Sequence, residues 1–321
     1  MPFKKHTQLW IVLLILAVSS CSPLSNIPVD VLMPADNFPD TQPRKVIIVD
    51  NSGIYNYNNM EDGWFASTYK DKLLQAVLDK VSNSGVFKFV DTLTNSVKKI
   101  DKDEAWKICY QNKADYMILL EYTNGNYKQG YNDFSDDYQV STNVEWGYDF
   151  YSYWKMYSFD KNRFFAKTRC GSSDGGLIGV NSTQLAYDYA YKSLNYFVQE
   201  HSFKVANTIV PCWSTVMRKY YTDGNDELGL ADLAMKIYNW DEAIEIWKVQ
   251  ALSKKRLVAR NAFYNLALFS ETIGEIDQAI LYLEQARRKL PSNKIFKYKR
   301  KLKKRLKQYN LLNKQYDMLA E

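Results

Sequence analysis

A chain of 321 residues is long enough for two domains at about 150 residues each. Its composition, 46% hydrophobic, 24% charged and 15% aromatic with 25 Tyr, excludes a disordered or collagen-like polypeptide. The formal charge is +6, and only two His are present, which excludes a multi-histidine metal site.

Residues 1–20 read as a cleaved export signal: Lys4 and Lys5 precede an apolar run from Leu9 to Val18, too short for a permanent membrane helix. Val18-Ser19-Ser20-Cys21 resembles a bacterial lipobox, in which the Cys thiol takes the lipid and becomes the first mature residue. The resemblance implies a membrane anchor at Cys21. Ser22, where an Asp would retain the protein in the inner membrane, implies the outer membrane, facing the periplasm. Residues 21–43 hold five of the eight prolines and are expected to be a lipidated tether.

Residues 44–222 are expected to form an α/β domain. Val46–Val49 reads as a strand, Thr68–Ser84 as a helix ended by Gly85, and Phe87–Leu93 as a strand. Asp103–Asn112 reads as a helix with Trp106 inward, and Ala114–Tyr122 as a buried strand. Such β-α-β-α-β alternation argues for parallel strands joined by helical crossovers. Thr123–Tyr138 reads as a polar loop. Val140–Phe159 and Arg163–Arg169 form a hairpin about an Asp160-Lys161-Asn162 turn, and Gly171–Gly179 reads as a loop. A helix over 182–200 and a strand-like run over 208–216, broken by Pro211, complete the domain.

Residues 226–310 carry two helical repeats. Phe263, Leu266, Ala267, Gly274, Ala279, Leu283, Ala286 and Pro291 stand at the spacing of a tetratricopeptide repeat, with Ser270 departing from it. An earlier copy runs through Leu230, Ala231, Ala234, Ala243 and Trp247, and the two are 36 residues apart. Two repeats need a further helix or another domain to close their apolar stripe; Lys294–Asn310 offers a helix, leaving 311–321 as a tail, and the pair is expected to be either a structural foot on the α/β domain or a groove for a partner. If these helices bind a partner, Trp240, Trp247, Phe263, Asn265 and Tyr282 are the candidate contacts.

Arg287 to Gln308 holds twelve Lys or Arg and no Asp or Glu, and the rest of the mature chain is net acidic. The run suits either a polyanion, through Lys299, Arg300, Lys303, Lys304 and Arg305, or a plain solvated helix face. In an exported protein that polyanion would be anionic lipid headgroups, lipopolysaccharide phosphates or an acidic protein face, not nucleic acid. The aromatic hairpin is the other candidate: either helices cover both of its faces, or one face packs on a helix and the other stacks glycan rings or a partner protein through Trp146, Tyr151, Tyr153 and Trp154.

Catalytic signals are weak. His201 has no nucleophile motif around it and reads as a satisfied structural residue. Gly171–Gly176 lacks the Lys-Ser/Thr of a phosphate loop, and Asp133, Asp136 and Asp137 match no calcium loop. Cys109, Cys170 and Cys212 read as buried thiols, one disulfide remaining open. No metal or cofactor is expected.

The element order resembles, at fold level, the small α/β domains of periplasmic lipoproteins such as activators of peptidoglycan synthases and the curli-secretion lipoprotein. The whole layout resembles uncharacterised bacterial outer-membrane lipoproteins that join an α/β domain of unknown function to tetratricopeptide-like repeats. The expected fold class is α+β: an α/β sandwich with an added β-hairpin, then an all-α helical-hairpin domain. The expected function is a non-enzymatic, lipid-anchored scaffold or adaptor binding another envelope protein. The alternative is a glycan- or peptidoglycan-binding module, or a cell-wall enzyme, centred on Trp154.

Overall fold

The computed structural model describes residues 24–39, 45–53, 60–95, 99–136, 139–179 and 183–320. The expected leader and Cys21 lie outside them. The fold is mixed α+β and separates into two compact units. One comprises Leu32–Trp213 with Leu312–Glu321; the other comprises the residues up to Val31 with Ser214–Leu311.

The first unit is built on a five-stranded sheet of order β3-β2-β4-β5-β6. Strand β2 (Lys45–Asp50) lies parallel to both β3 (Phe89–Thr94) and β4 (Tyr116–Asp136). Helix α1 (Met60–Ser82) links β2 to β3, and α2 (Lys102–Asn112) links β3 to β4. Strands β5 (Gln139–Ser158) and β6 (Arg163–Gly179) add antiparallel. Helix α3 (Thr183–Ala206) joins α1 on one face. The pleat divides β2 accordingly: Val46 and Ile48 face α1 and α3, whereas Ile47 and Val49 face α2.

The expected loops at 123–138 and 171–179 are instead strand. Strand β4 continues to Asp136 and pairs with β5 as far as Asp136 opposite Gln139, while the end of β6 pairs with β5 as far as Gly179 opposite Asn143. Glycine misled the reading because here it makes room rather than turns. A Cβ on Gly175 would stand 2.6 Å from the Trp146 carbonyl oxygen, and one on Gly171 would stand 2.7 Å from the Tyr151 ring. Helix α2 differs in its facing. Ala105, Ile108 and Cys109 are buried, while Trp106 lies partly exposed, stacked on Tyr110 at 5.1 Å.

The expected tether contains a strand. Strand β1 (Leu24–Met33) pairs with β7 (Cys212–Tyr221), and Ile27, Val29 and Val31 are buried at alternate positions. Pro28 within it, with Pro23 and Pro34 on either side in the sequence, hid that alternation. The second unit then carries α4 (Asp226–Lys236), α5 (Trp240–Ala251), α6 (Arg256–Thr272), α7 (Ile276–Lys289) and the beginning of α8 (Asn293–Ala320). Asn225 and Asn239 cap α4 and α5 with their side-chain oxygens. The small residues Ala231, Ala234, Ala243, Ala267, Ala279 and Ala286 are buried, and Gly274 turns the chain at φ +84°. Ile295, Tyr298 and Leu302 of α8 join the core of α6 and α7. Phe296 of the same helix is half exposed.

The expected tail is the end of α8. The buried Gln315 amide accepts from the Ala35 N–H at 3.0 Å and donates to the Ala35 carbonyl at 2.8 Å, both within the first unit.

Candidate functional site

In the aromatic hairpin, Trp146, Tyr148, Phe150, Trp154 and Met156 of β5 pack under α1 and α3, and the tyrosines Tyr151 and Tyr153 point the other way. Trp154 is fully buried and Trp146 nearly so, which removes both from any stacking role. Trp154 donates its indole N–H to Ser152 at 3.0 Å. Tyr151 is 45% exposed, Tyr153 is half-buried, and the Arg169 guanidinium lies 5.3 Å from the Tyr153 ring. The glycan candidate therefore shrinks to Tyr151, Tyr153 and Arg169 on the sheet face opposite α1 and α3.

His201 sits inside the first unit, with both ring nitrogens engaged. Tyr69 Oη is 2.6 Å from Nδ1, and Ser172 Oγ is 2.9 Å from Nε2. Burial, helped by the charge of Lys204, lowers its pKa to about 4. A neutral imidazole needs one donor and one acceptor, and these two hydroxyls supply them. Burial likewise raises the thiols of Cys109, Cys170 and Cys212 to about 12, 11 and 12, and all three are free. Among the described residues no group of His, Cys, Asp or Glu is placed to hold a metal. Asp137 and the side chains of Asp133 and Asp136 lie outside them.

Among the proposed repeat contacts, Trp247 and Asn265 are fully buried and cannot meet a partner. Trp247 fills the core between helices. Asn265 spends its amide on β7: Oδ1 accepts from the Tyr221 N–H at 2.8 Å and Nδ2 donates to the Tyr221 carbonyl at 2.7 Å. Trp240, Phe263 and Tyr282 remain half-buried, Phe263 beside Tyr282 with ring centres 6.2 Å apart. Exposed apolar side chains lie elsewhere on the helices, Val249 on α5 and Leu281 on α7 among them, and three stand together on α4 and its C-cap. Leu230, Leu233 and Ile237 recur at i, i+3 and i+7 along one face and are each at least half exposed.

The basic run divides. Lys299 pairs with Glu284, and Arg305 is half-buried, its pKa lowered by desolvation. Arg300, Lys303 and Lys304 are exposed on α8. Sequence reasoning missed a second group. Lys294, Lys297 and Lys301 line a groove of about 270 Å³ in the second unit, with Leu24, Met217 and Lys219. Composition could not find it, because Lys219 comes from β7 and Leu24 from β1. Behind the groove, Glu271 receives two hydrogen bonds from Arg218, at 2.8 and 2.6 Å, and one from Tyr298 at 2.7 Å. Desolvation opposes the Arg218 charge, but the Glu271 carboxylate outweighs it and raises the pKa.

Among the described residues no helix is long and apolar enough to cross a membrane. No curated protein matches the chain. Among solved structures it is similar to a neuraminyllactose-binding hemagglutinin homologue from Helicobacter pylori, with 12% identity over 50% of this chain and 86% of that one, TM-score 0.31. It is also similar to the PelC dodecamer from Paraburkholderia phytofirmans, with 8% identity over 57% and 99%, TM-score 0.25. A third is a minor lipoprotein from Acinetobacter baumannii, with 11% identity over 53% and 98%, TM-score 0.22. Residues 230–312, less than half of the chain and confined to α4–α8, match the family model described as a domain of unknown function, DUF6340.

Proposed function

We propose that the protein is a lipid-anchored adaptor of the bacterial cell envelope, held in the outer membrane through Cys21 and facing the periplasm. Its two helical repeats, of tetratricopeptide type, bind another envelope protein, and it performs no catalysis. The observation that carries the reading is the apolar face of α4, where Leu230, Leu233 and Ile237 stand in solvent at helical spacing. Soluble proteins seldom leave such a stripe uncovered unless something docks on it. The N-terminal sequence supports the anchor, and the packing of Ala267, Ala279 and Ala286 supports the repeats. In-cell cross-linking of the wild-type protein, read by mass spectrometry, tests it. Reproducible links from α4 to one envelope protein, lost in Leu233→Asp, are expected. Links unaffected by that change, or self-links alone, would remove the adaptor reading.

A second reading is favoured by Tyr151 and Arg169-capped Tyr153 on the sheet face: a glycan- or peptidoglycan-binding module. Sedimentation with purified peptidoglycan, abolished by a Tyr151→Ala and Tyr153→Ala double variant, would establish it.

A further inference from the structure

The groove of the second unit combines three features that no adaptor role requires. First, its cations lack carboxylate partners, with Lys294 lying 5.5 Å from the Tyr221 ring centre. Among the described residues none of Lys219, Lys294, Lys297 and Lys301 has a carboxylate partner. Of the acids near it, Glu271 is committed to Arg218 and Tyr298 and Glu284 to Lys299 and Arg287, while Asp223 feels the charge of Lys294 without a salt bridge to it. Four ammonium groups around one concavity repel one another and favour an anion of matching charge. Second, the rim is amphipathic: Met217 is 58% exposed beside Lys219 on β7, and Leu24 lies across from it. Third, Leu24 stands three residues after Cys21. Three extended residues span at most about 11 Å, close to the roughly 8–10 Å over which a charge is felt in physiological salt. If acyl chains on Cys21 enter the bilayer, Leu24 and its groove are held at headgroup level.

From this we propose that the groove of Lys219, Lys294, Lys297 and Lys301 docks on phosphate-bearing lipid headgroups of the leaflet that carries the Cys21 anchor, with Met217 entering the interface. The proposal rests on the anchor reading for its geometry. It supplies the second contact that acyl chains need for stable attachment, since a polybasic patch adds affinity for anionic lipid. It also distinguishes the two flanks of α8. The i, i+3, i+7 spacing puts Lys294, Lys297 and Lys301 on the flank beside β7. Arg300, Lys303 and Lys307 follow the opposite flank at the same spacing.

The experiment uses the full mature chain carrying Cys21→Ser, sedimented with phosphatidylcholine vesicles with or without a one-third share of phosphatidylglycerol. Binding to the anionic vesicles alone, weakening as salt is raised, is expected. The variant Lys294→Gln, Lys297→Gln, Lys301→Gln should lose about a hundredfold in partition. The matched variant Arg300→Gln, Lys303→Gln, Lys307→Gln should lose less than tenfold, with circular dichroism and unfolding midpoints of both unchanged. Equal losses would mean general attraction to a basic helix and would overturn the groove. So would absence of binding to anionic vesicles, or binding equalled by free inorganic phosphate in competition at like concentration. Intact mass of the native protein tests the anchor separately. An unacylated Cys21 with vesicle binding retained removes the anchor and keeps the groove; an acylated Cys21 without vesicle binding does the reverse.

Discussion

The Asn265 side chain makes to Tyr221 the two hydrogen bonds that a neighbouring strand would make, one to its N–H and one to its carbonyl. A helix thereby caps the inner edge of β7 inside the second unit, and neither backbone group is left dry and unpaired. Replacing Asn265 by Ala strands both, at about 1–3 kcal/mol each. We expect Asn265→Ala to lower unfolding stability by roughly 2–6 kcal/mol, measured by urea denaturation. Asn265→Asp should fail similarly, since a carboxylate cannot donate to the Tyr221 carbonyl.

Glu271 is the acid of a buried ion pair whose cation, Arg218, is 12% exposed at its side chain. Removing one partner leaves the other charge in a low-dielectric site. Glu271→Ala should cost about 3–5 kcal/mol, whereas joint replacement of Glu271 and Arg218 by Leu and Met should recover most of it. A double-mutant cycle on unfolding midpoints checks both.

His201 gives the fold a pH dependence of definite sign. Its pKa is about 4 when folded and about 6.5 when unfolded. The unfolded chain therefore takes up the proton first on acidification. Stability from this group is complete above pH about 6.5 and is lost as pH falls through about 4, roughly 3 kcal/mol in all. Unfolding free energies measured across that window should decline, and the decline should flatten in His201→Gln.

The three thiols should be silent in the native protein. Each is buried, with its pKa raised by that burial, so the reactive thiolate is scarce. Titration with a chromogenic disulfide should give no reaction before unfolding and three equivalents after it in Cys21→Ser protein. Fewer than three after unfolding would reveal a disulfide.

Trp154→Ala is a stability variant, not a glycan test. The side chain is fully buried beneath α1 and α3, and deleting it should cost about 3–5 kcal/mol. Tyr151→Ala, on the open face, should leave the melting temperature nearly unchanged and report on binding alone.

These contrasts show where the sequence was legible. Strand β2 and helices α5 to α7 were readable because their apolar spacing is regular and their neighbours lie close in the chain. Ala267, Ala279 and Ala286 announced helix contacts by being small at repeat spacing. The long ends of β4 and β6 were hidden because their stability comes from pairing with β5, and their Gly and polar residues serve that pairing. Strand β1 was hidden by Pro28 within it and the prolines beside it, and its partner β7 lies more than half the chain away. Trp247 and Asn265 were misassigned for one reason: residue type tells what a side chain could do, while burial decides whether a partner can reach it. The groove was illegible since three separate segments build it.

The pairing of β1 with β7 carries a consequence for how the molecule is made. Synthesis delivers β1 first, and β7 follows about 180 residues later, so this ladder closes at high contact order and forms slowly. Until then Ile27, Val29 and Val31 lack their cover, and an unpaired strand edge invites association with other chains. The second unit thus waits on the first to be synthesised, and a shortened chain beginning after Met33 would leave β7 with an open edge for good.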